Sequence, residues 1–173
     1  MAETALLPLY ILDALHNPAD HSINGIIDFS NRISCLKELL SSKMKVSFLH
    51  DKDMNYSSAQ SLSFHYGTKD TKEKPTYLFE IRYYISSKAD LFAVYVFDER
   101  MTVMKGEKLN HPVDTKRLPI RVQEMIGKGS AILEANGYKE VDFDFFMMPA
   151  PGCETELDGL PANVFEALFT EIV

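Results

Sequence analysis

Along this chain the spacing of apolar side chains switches between the period of a helix and that of a strand, and each switch marks an element. Residues 5–15 are almost wholly apolar and end at His16-Asn17-Pro18. They read as a short helix, or as an edge strand carrying Pro8. Asn24-Gly25 predicts a turn. From Asp28 to Leu40 the positions Phe29, Ile33, Leu36, Leu39 and Leu40 recur at helical spacing. Beyond Ser41-Ser42 the period falls to two at Met44, Val46 and Phe48, which predicts a strand. Residues 51–75 are polar and read as surface loop around one strand candidate, Ser61 to Tyr66.

The clearest pattern is a hairpin. Tyr77, Phe79, Ile81, Tyr83 and Ile85 alternate with Leu78, Glu80, Arg82 and Tyr84. A short polar loop from Ser86 to Asp90 then leads into Leu91–Phe97, which is apolar at every position. β-Branched and aromatic side chains suit a pleated surface. A strand apolar on both sides belongs inside a sheet, with cover on each face. A smaller hairpin is expected around Lys105-Gly106, with arms at Met101–Met104 and Glu107–Leu109.

A helix follows from Asp114 or Leu118 to Asn136, with Gly137 as its C-terminal cap. Its apolar stripe is Leu118, Val122, Met125, Ile126, Ile132 and Leu133, and Gly129 falls on that stripe. A glycine inside a helix costs ~1 kcal/mol against alanine. Its presence there predicts close approach of the helix backbone to the sheet. Val141, Phe143, Phe145 and Met147 alternate with Asp142, Asp144, Phe146 and Met148, which predicts a strand broken by Pro149–Gly152. Asn163, with Glu166 three residues on, predicts a capping box opening a last helix. Its packing face is Val164, Phe165, Leu168, Phe169 and Ile172. The order is helices, a run of strands, then helix, strand and helix. It predicts an α+β domain over residues 1–173, with helices packed on a mainly antiparallel sheet of about five or six strands in one layer pair.

Composition narrows the class. With 46% hydrophobic and 25% charged residues, the chain is globular in character. Cys35 and Cys153 are too few for a disulfide framework and suggest a reducing compartment, so a cytoplasmic location is expected. Cys35 reads as a buried helix residue and Cys153 as an exposed thiol in a Pro-Gly turn. The longest greasy stretch, Leu6–Leu12, contains Pro8 and stops at Asp13, far short of the ~20 residues of a membrane span. It also lacks the basic flank of a signal peptide, and no membrane association is expected.

Charge is the most one-sided property. Seventeen basic and seventeen acidic side chains cancel over residues 1–136. In residues 137–173 one base, Lys139, stands against Glu140, Asp142, Asp144, Glu154, Glu156, Asp158, Glu166 and Glu171, which accounts for the formal net charge of −7. Such segregation creates a local negative field that bears on partners.

No catalytic motif emerges. Gly127-Lys128-Gly129-Ser130 resembles the end of a phosphate loop. The glycine that such a loop needs five positions earlier is Val122, and the run lies within the expected helix. Asp90–Phe97 resembles the aromatic strand of an RNA-recognition motif, but its basic residue and its glycine are Asp90 and Leu91, so a core strand is expected and no nucleic acid. His16, Asp20 and His21 form one group and His50, Asp51 and Asp53 another. Neither has a recognised metal spacing, and a joint site from His16, His21 and His50 requires the fold to bring them together. Asp142 and Asp144 share a face of the expected strand with Glu140, which suits a solvated acidic stripe better than an acid–base pair. No catalytic residue, metal or cofactor is assigned.

Two functions of different class follow. The first is a non-enzymatic binding protein whose acidic C-terminal surface (Glu140, Asp142, Asp144, Glu154, Glu156 and Asp158) neutralises or escorts a basic protein partner. Met148, Leu157 and Leu160 are its expected apolar anchors. In size, acidity and composition the chain is similar to bacterial immunity proteins that inhibit nucleases, and to acidic secretion chaperones. That similarity is one of physical character, and no motif of either is present. The alternatives are a subunit of another assembly, or a small enzyme drawing on His50, His65, His111, the carboxylates and Cys153.

Overall fold

The alternation in residues 77–98 builds the centre of the molecule. In the computed structural model, which describes residues 6–68, 77–98 and 113–171, β3 (Tyr77–Ser86) and β4 (Leu91–Asp98) pair antiparallel, with Tyr83 opposite Val94 and Ile85 opposite Phe92. β2 (Ala59–Thr68) pairs antiparallel with β3 on its other side, and β1 (Leu49–Asp51) covers part of the outer edge of β2. β5 (Lys139–Glu140) runs parallel beside β4. The result is a mostly antiparallel five-stranded sheet in the order β1-β2-β3-β4-β5, with β6 (Pro149–Glu154) and β7 (Pro161–Asn163) forming a separate hairpin. The fold is α+β.

The two faces of the sheet carry two cores. Leu62, Phe64, Ile81, Tyr83, Ile85, Phe92, Val94 and Val96 pack on one side against α2 (Ile23–Met44) and α3 (Ile120–Ala135). Ala59, Tyr84, Leu91, Ala93 and Tyr95 pack on the other against α1 (Leu9–Leu15), the segment from Val141 to Ala150, and α4 (Val164–Leu168). β4 is therefore covered on both faces, as its unbroken apolar run requires. A second layer lies opposite the long helices, beyond the layer pair expected.

Local chemistry sets the helix ends. Asn163 Oδ1 accepts the Glu166 N–H and Glu166 Oε2 accepts the Asn163 N–H, each at 2.9 Å, which is the expected capping box. At the end of α3 the Tyr138 N–H reaches Leu133 O and the Gly137 N–H reaches Glu134 O, a Schellman closure with Gly137 at φ +90°. Gly129 also meets its expectation. A β-carbon there would collide with the phenol of Tyr83, whose hydroxyl donates to Ile126 O at 2.9 Å.

Several expectations are corrected. Asn24-Gly25 is not a turn. Ser22 caps α2 by accepting the Gly25 N–H, so the helix begins at Ile23. Met44–Phe48 is not a strand, because α2 continues through Met44 and Lys45 ends it in the left-handed conformation. β2 is ten residues long rather than a short island in a loop. The expected strand over 141–148 is a one-turn 3-10 helix at Phe143–Phe145, and Pro149–Gly152 begins a strand instead of ending one. Cys35 is exposed on α2 rather than buried. The smaller hairpin at 101–109 lies outside the described residues.

Candidate functional site

The connections at one end of the sheet converge. The β1–β2 loop, the β3–β4 turn and the α1–α2 connector meet there. The Ser87 N–H donates to Ser58 O at 2.7 Å, and Asn17 Nδ2 to Lys88 O at 3.0 Å. Residues 170–171 close on the same place. The Glu171 N–H donates to Tyr56 O at 3.0 Å, and Ser57 Oγ donates to Thr170 Oγ1 at 2.6 Å. The Glu171 carboxylate then accepts the backbone N–H groups of Glu156 at 2.5 Å and Leu157 at 2.9 Å. Glu171 thus ties the β6–β7 tip to the β1–β2 loop. A charged acceptor strengthens both bonds.

The tip itself is ordered by its own polar atoms. Thr155 and Leu160 pair across it, the Gly159 N–H donates to Thr155 O at 3.0 Å, and Asp158 Oδ1 accepts the Leu160 N–H at 3.1 Å. The Thr155 hydroxyl also donates to Asp158, and these bonds hold the Asp158 carboxyl below the usual carboxylate range. Gly159, at φ +68°, provides a conformation that other residues resist. This framework presents Leu157 and Leu160, 56% and 60% exposed, among the exposed carboxylates Glu154, Glu156 and Asp158. No ion pair engages those three carboxylates among the described residues.

The eight C-terminal acids therefore do different jobs. Glu166 caps a helix and Glu171 pins a loop. Glu140 is half-buried, and its carboxyl is pushed up by burial and by the nearby Glu134 and Asp142 carboxylates. Asp142 accepts the Asp144 N–H at 3.0 Å and caps the 3-10 turn, and Asp144 lies 3.9 Å from exposed Lys116. The expected strand-face stripe Glu140-Asp142-Asp144 does not exist, because the chain turns after Val141. Asp142 and Asp144 lie before β6 and the other three at or beyond its end. That strand spans roughly 16 Å. Among the expected anchors, Leu157 and Leu160 are exposed, whereas Met148 packs against the second core and its neighbour Met147 faces out.

Beside the tip the surface is indented on either side of Met54. A cleft of about 320 Å³ is lined by Asp20, Ile26, Asp28, Phe29, Arg32 and Met54, together with Gly25 and Ser87. A second, of about 490 Å³, is lined by His21, Met54, Asn55, Tyr56 and Glu156. Hydrogen bonds from the side chain and backbone of Ser22 hold the Asp20 carboxyl below its ordinary range. Tyr56 has φ +53°, an uncommon conformation for an aromatic residue, and is 41% exposed. Sequence reasoning missed Met54 and Tyr56, which it placed in a featureless loop. The available signal was the series of Asx turns, in which Asp51 accepts the Asp53 N–H and Asp53 the Asn55 N–H, each at 2.9 Å.

The histidines do not gather. His50 Nε2 pairs with Gln60 Oε1 at 2.7 Å, and Gln60 Nε2 donates to Ser30 Oγ at 2.6 Å, which cross-links α2, β1 and β2. His65 sits on β2 opposite Glu80, and His21 lines the second cleft. Cys153 lies on β6, with Sγ 3.9 Å from Leu15 O. Among the described residues no group of three potential metal ligands converges, and His111 lies outside them. Burial holds the His50 pKa down, with Lys52 and Lys37 adding to it against the Gln60 hydrogen bond and Asp51. The unfolded chain therefore binds this proton more readily than the folded one. The stability that neutral His50 contributes is fully present above about pH 6.5, the unfolded value, and is lost as pH falls from there through the lower pKa of the folded state. In urea unfolding across this range, His50→Gln is expected to flatten the acid-side loss of stability. An unchanged slope would show that His50 does not set it.

Comparison with protein-family models, with curated proteins and with solved structures finds no match for this chain.

Proposed function

We propose that this protein is a non-enzymatic binding protein that uses the acidic β6–β7 tip to engage a basic protein partner and neutralise or escort it, as an inhibitor or immunity protein does. The observation that carries this is the tip itself, where Leu157 and Leu160 stand exposed among Glu154, Glu156 and Asp158 on a hydrogen-bonded frame. Apolar anchors that lose their water on binding supply most of an interface's affinity, while a charged rim speeds association and selects partners. A preformed frame lowers the ordering cost of binding. Two free thiols, Cys35 and Cys153, support action in a reducing compartment such as the cytoplasm. Among the described residues no helix is long and apolar enough to cross a membrane. The aromatic residues Phe92 and Tyr95 of β4 are buried, so they offer no stacking platform for single-stranded nucleic acid.

The test is capture from the native cell extract with a rising salt gradient, using the wild type and the double variant Glu154→Lys, Glu156→Lys, which leaves the Asp158 bonds of the tip frame intact. A basic protein held by the wild type, released by salt and not held by the variant is the expected result. Retention by both, or by neither, would count against the acidic tip as the binding surface.

A further inference from the structure

The indented surface beside the tip has a composition that selects an occupant. The two clefts share Met54 as a common wall. Asp20 and Asp28 stand on one side of it and Glu156 on the other, so each half carries at least one carboxylate. Phe29 and Met54 supply apolar wall to the first cleft, and Tyr56 and Met54 to the second. Lysine and arginine bury their methylene stems on such walls while the charged head meets a carboxylate or an aromatic face. Arg32 shows that the first cleft tolerates a guanidinium. Its Cζ lies 5.3 Å from the Phe29 ring centroid, and its head turns to Asp90 at 3.4 Å. Asp28 and Glu156 have no ion-pair partner among the described residues.

Given a basic protein partner, as proposed above, we propose that this two-part groove takes lysine or arginine side chains from one extended basic segment of that partner, with Met54 as the wall between successive side chains. The tip leucines then make the apolar contact and the groove reads the charge of the segment. The αL backbone of Tyr56, held by the Glu171 N–H, keeps the aromatic wall of the second cleft in place.

The experiment follows the Met54 methyl resonance by NMR at low salt during titration with an arginine-rich nonapeptide, and separately with its glutamate counterpart. Asp28→Lys and Tyr56→Gly test the groove. The glycine suits φ +53°, so this variant removes the ring without straining the loop. Glu124→Lys, on the exposed face of α3, is the charge-matched control. The expected result is a saturable Met54 shift with the basic peptide alone, weakened about tenfold by either groove variant and left nearly unchanged by Glu124→Lys. Equal weakening by Glu124→Lys, no Met54 shift, or a self-associated dimer that groove variants abolish would overturn the proposal. The captured partner separates the two ideas. A partner that loses affinity for the tip double variant Glu154→Lys, Glu156→Lys, yet binds Asp28→Lys and Tyr56→Gly undiminished, overturns the groove and leaves the tip standing. A partner indifferent to all of these variants overturns both.

Discussion

Alanine at position 129 is expected to destabilise the fold by about 2–3 kcal/mol, although alanine is the better helix former by ~1 kcal/mol. The same substitution at Gly127, two residues away in the same helix, is expected to stabilise by about 0.5–1 kcal/mol. The difference lies in what each β-carbon meets. At Gly127 nothing lies within 4 Å. At Gly129 the new atom falls on the phenol of fully buried Tyr83. That ring has little room to yield, because it packs against Phe48 and Phe92 at centroid distances of 6.3 and 6.4 Å and spends its hydroxyl on Ile126 O. Moving it loses a buried hydrogen bond, worth about 1 kcal/mol, as well as packing. Urea unfolding of the two alanine variants tests the opposite signs. In a Tyr83→Phe background the cost of Gly129→Ala should shrink, with a coupling of at least about 0.5 kcal/mol. Additive behaviour would place the strain elsewhere.

The same residue shows why part of this fold is legible in sequence. A glycine on an apolar helical stripe has a local cost that only tertiary proximity offsets, so it points outward to a neighbour. The hairpin of β3 and β4 is legible because β3 alternates with period two and β4 is apolar on both faces. So is the Asn163–Glu166 box, because a cap is chemistry between residues three apart. Legibility ends where polar side chains are buried against one another or bond the backbone. Gln60, Ser61 and Ser63 are buried at 1%, 4% and 7% exposure, and Gln60 is stabilised there by His50 and Ser30. A binary reading takes Gln60 for loop and so begins β2 at Ser61 rather than Ala59. The alternation from Val141 to Met148 fails for a similar reason. Asp142 bonds the Asp144 N–H, the chain turns, and Phe146 rather than Met147 or Phe143 becomes fully buried. Cys35 is exposed because it lies off the stripe of Ile33, Leu36 and Leu40 that it adjoins.

The candidate surface was legible only as an excess of charge. Counting acids cannot separate Glu166, Glu171 and Asp158, which hold backbone N–H groups, from Glu154 and Glu156, whose carboxylates face water. The clefts at Met54 are built from residues more than a hundred positions apart in sequence, Asp20 and Glu156 among them, and only the assembled fold brings their loops together.

The division of labour at the tip leads to the other large effect. Leu157→Ser with Leu160→Ser is expected to weaken the complex with the captured partner about 30-fold or more, almost entirely through faster dissociation. Each leucine is more than half exposed in the free protein, and burying such a side chain is worth about 1.5–3 kcal/mol. Removing both takes away short-range attraction that exists only once the surfaces have met. Reversal of Glu154 and Glu156, which leaves the Asp158 frame intact, should act at the other end of the encounter. It should slow association about tenfold or more at low salt, and that deficit should fade as salt rises, because steering is screened beyond a Debye length of about 10 Å at 0.1 M. Surface plasmon resonance at several salt concentrations separates the two. If the leucine pair changed association and left dissociation untouched, the tip would be a steering surface whose anchors lie elsewhere, and the groove beside Met54 would be the place to find them.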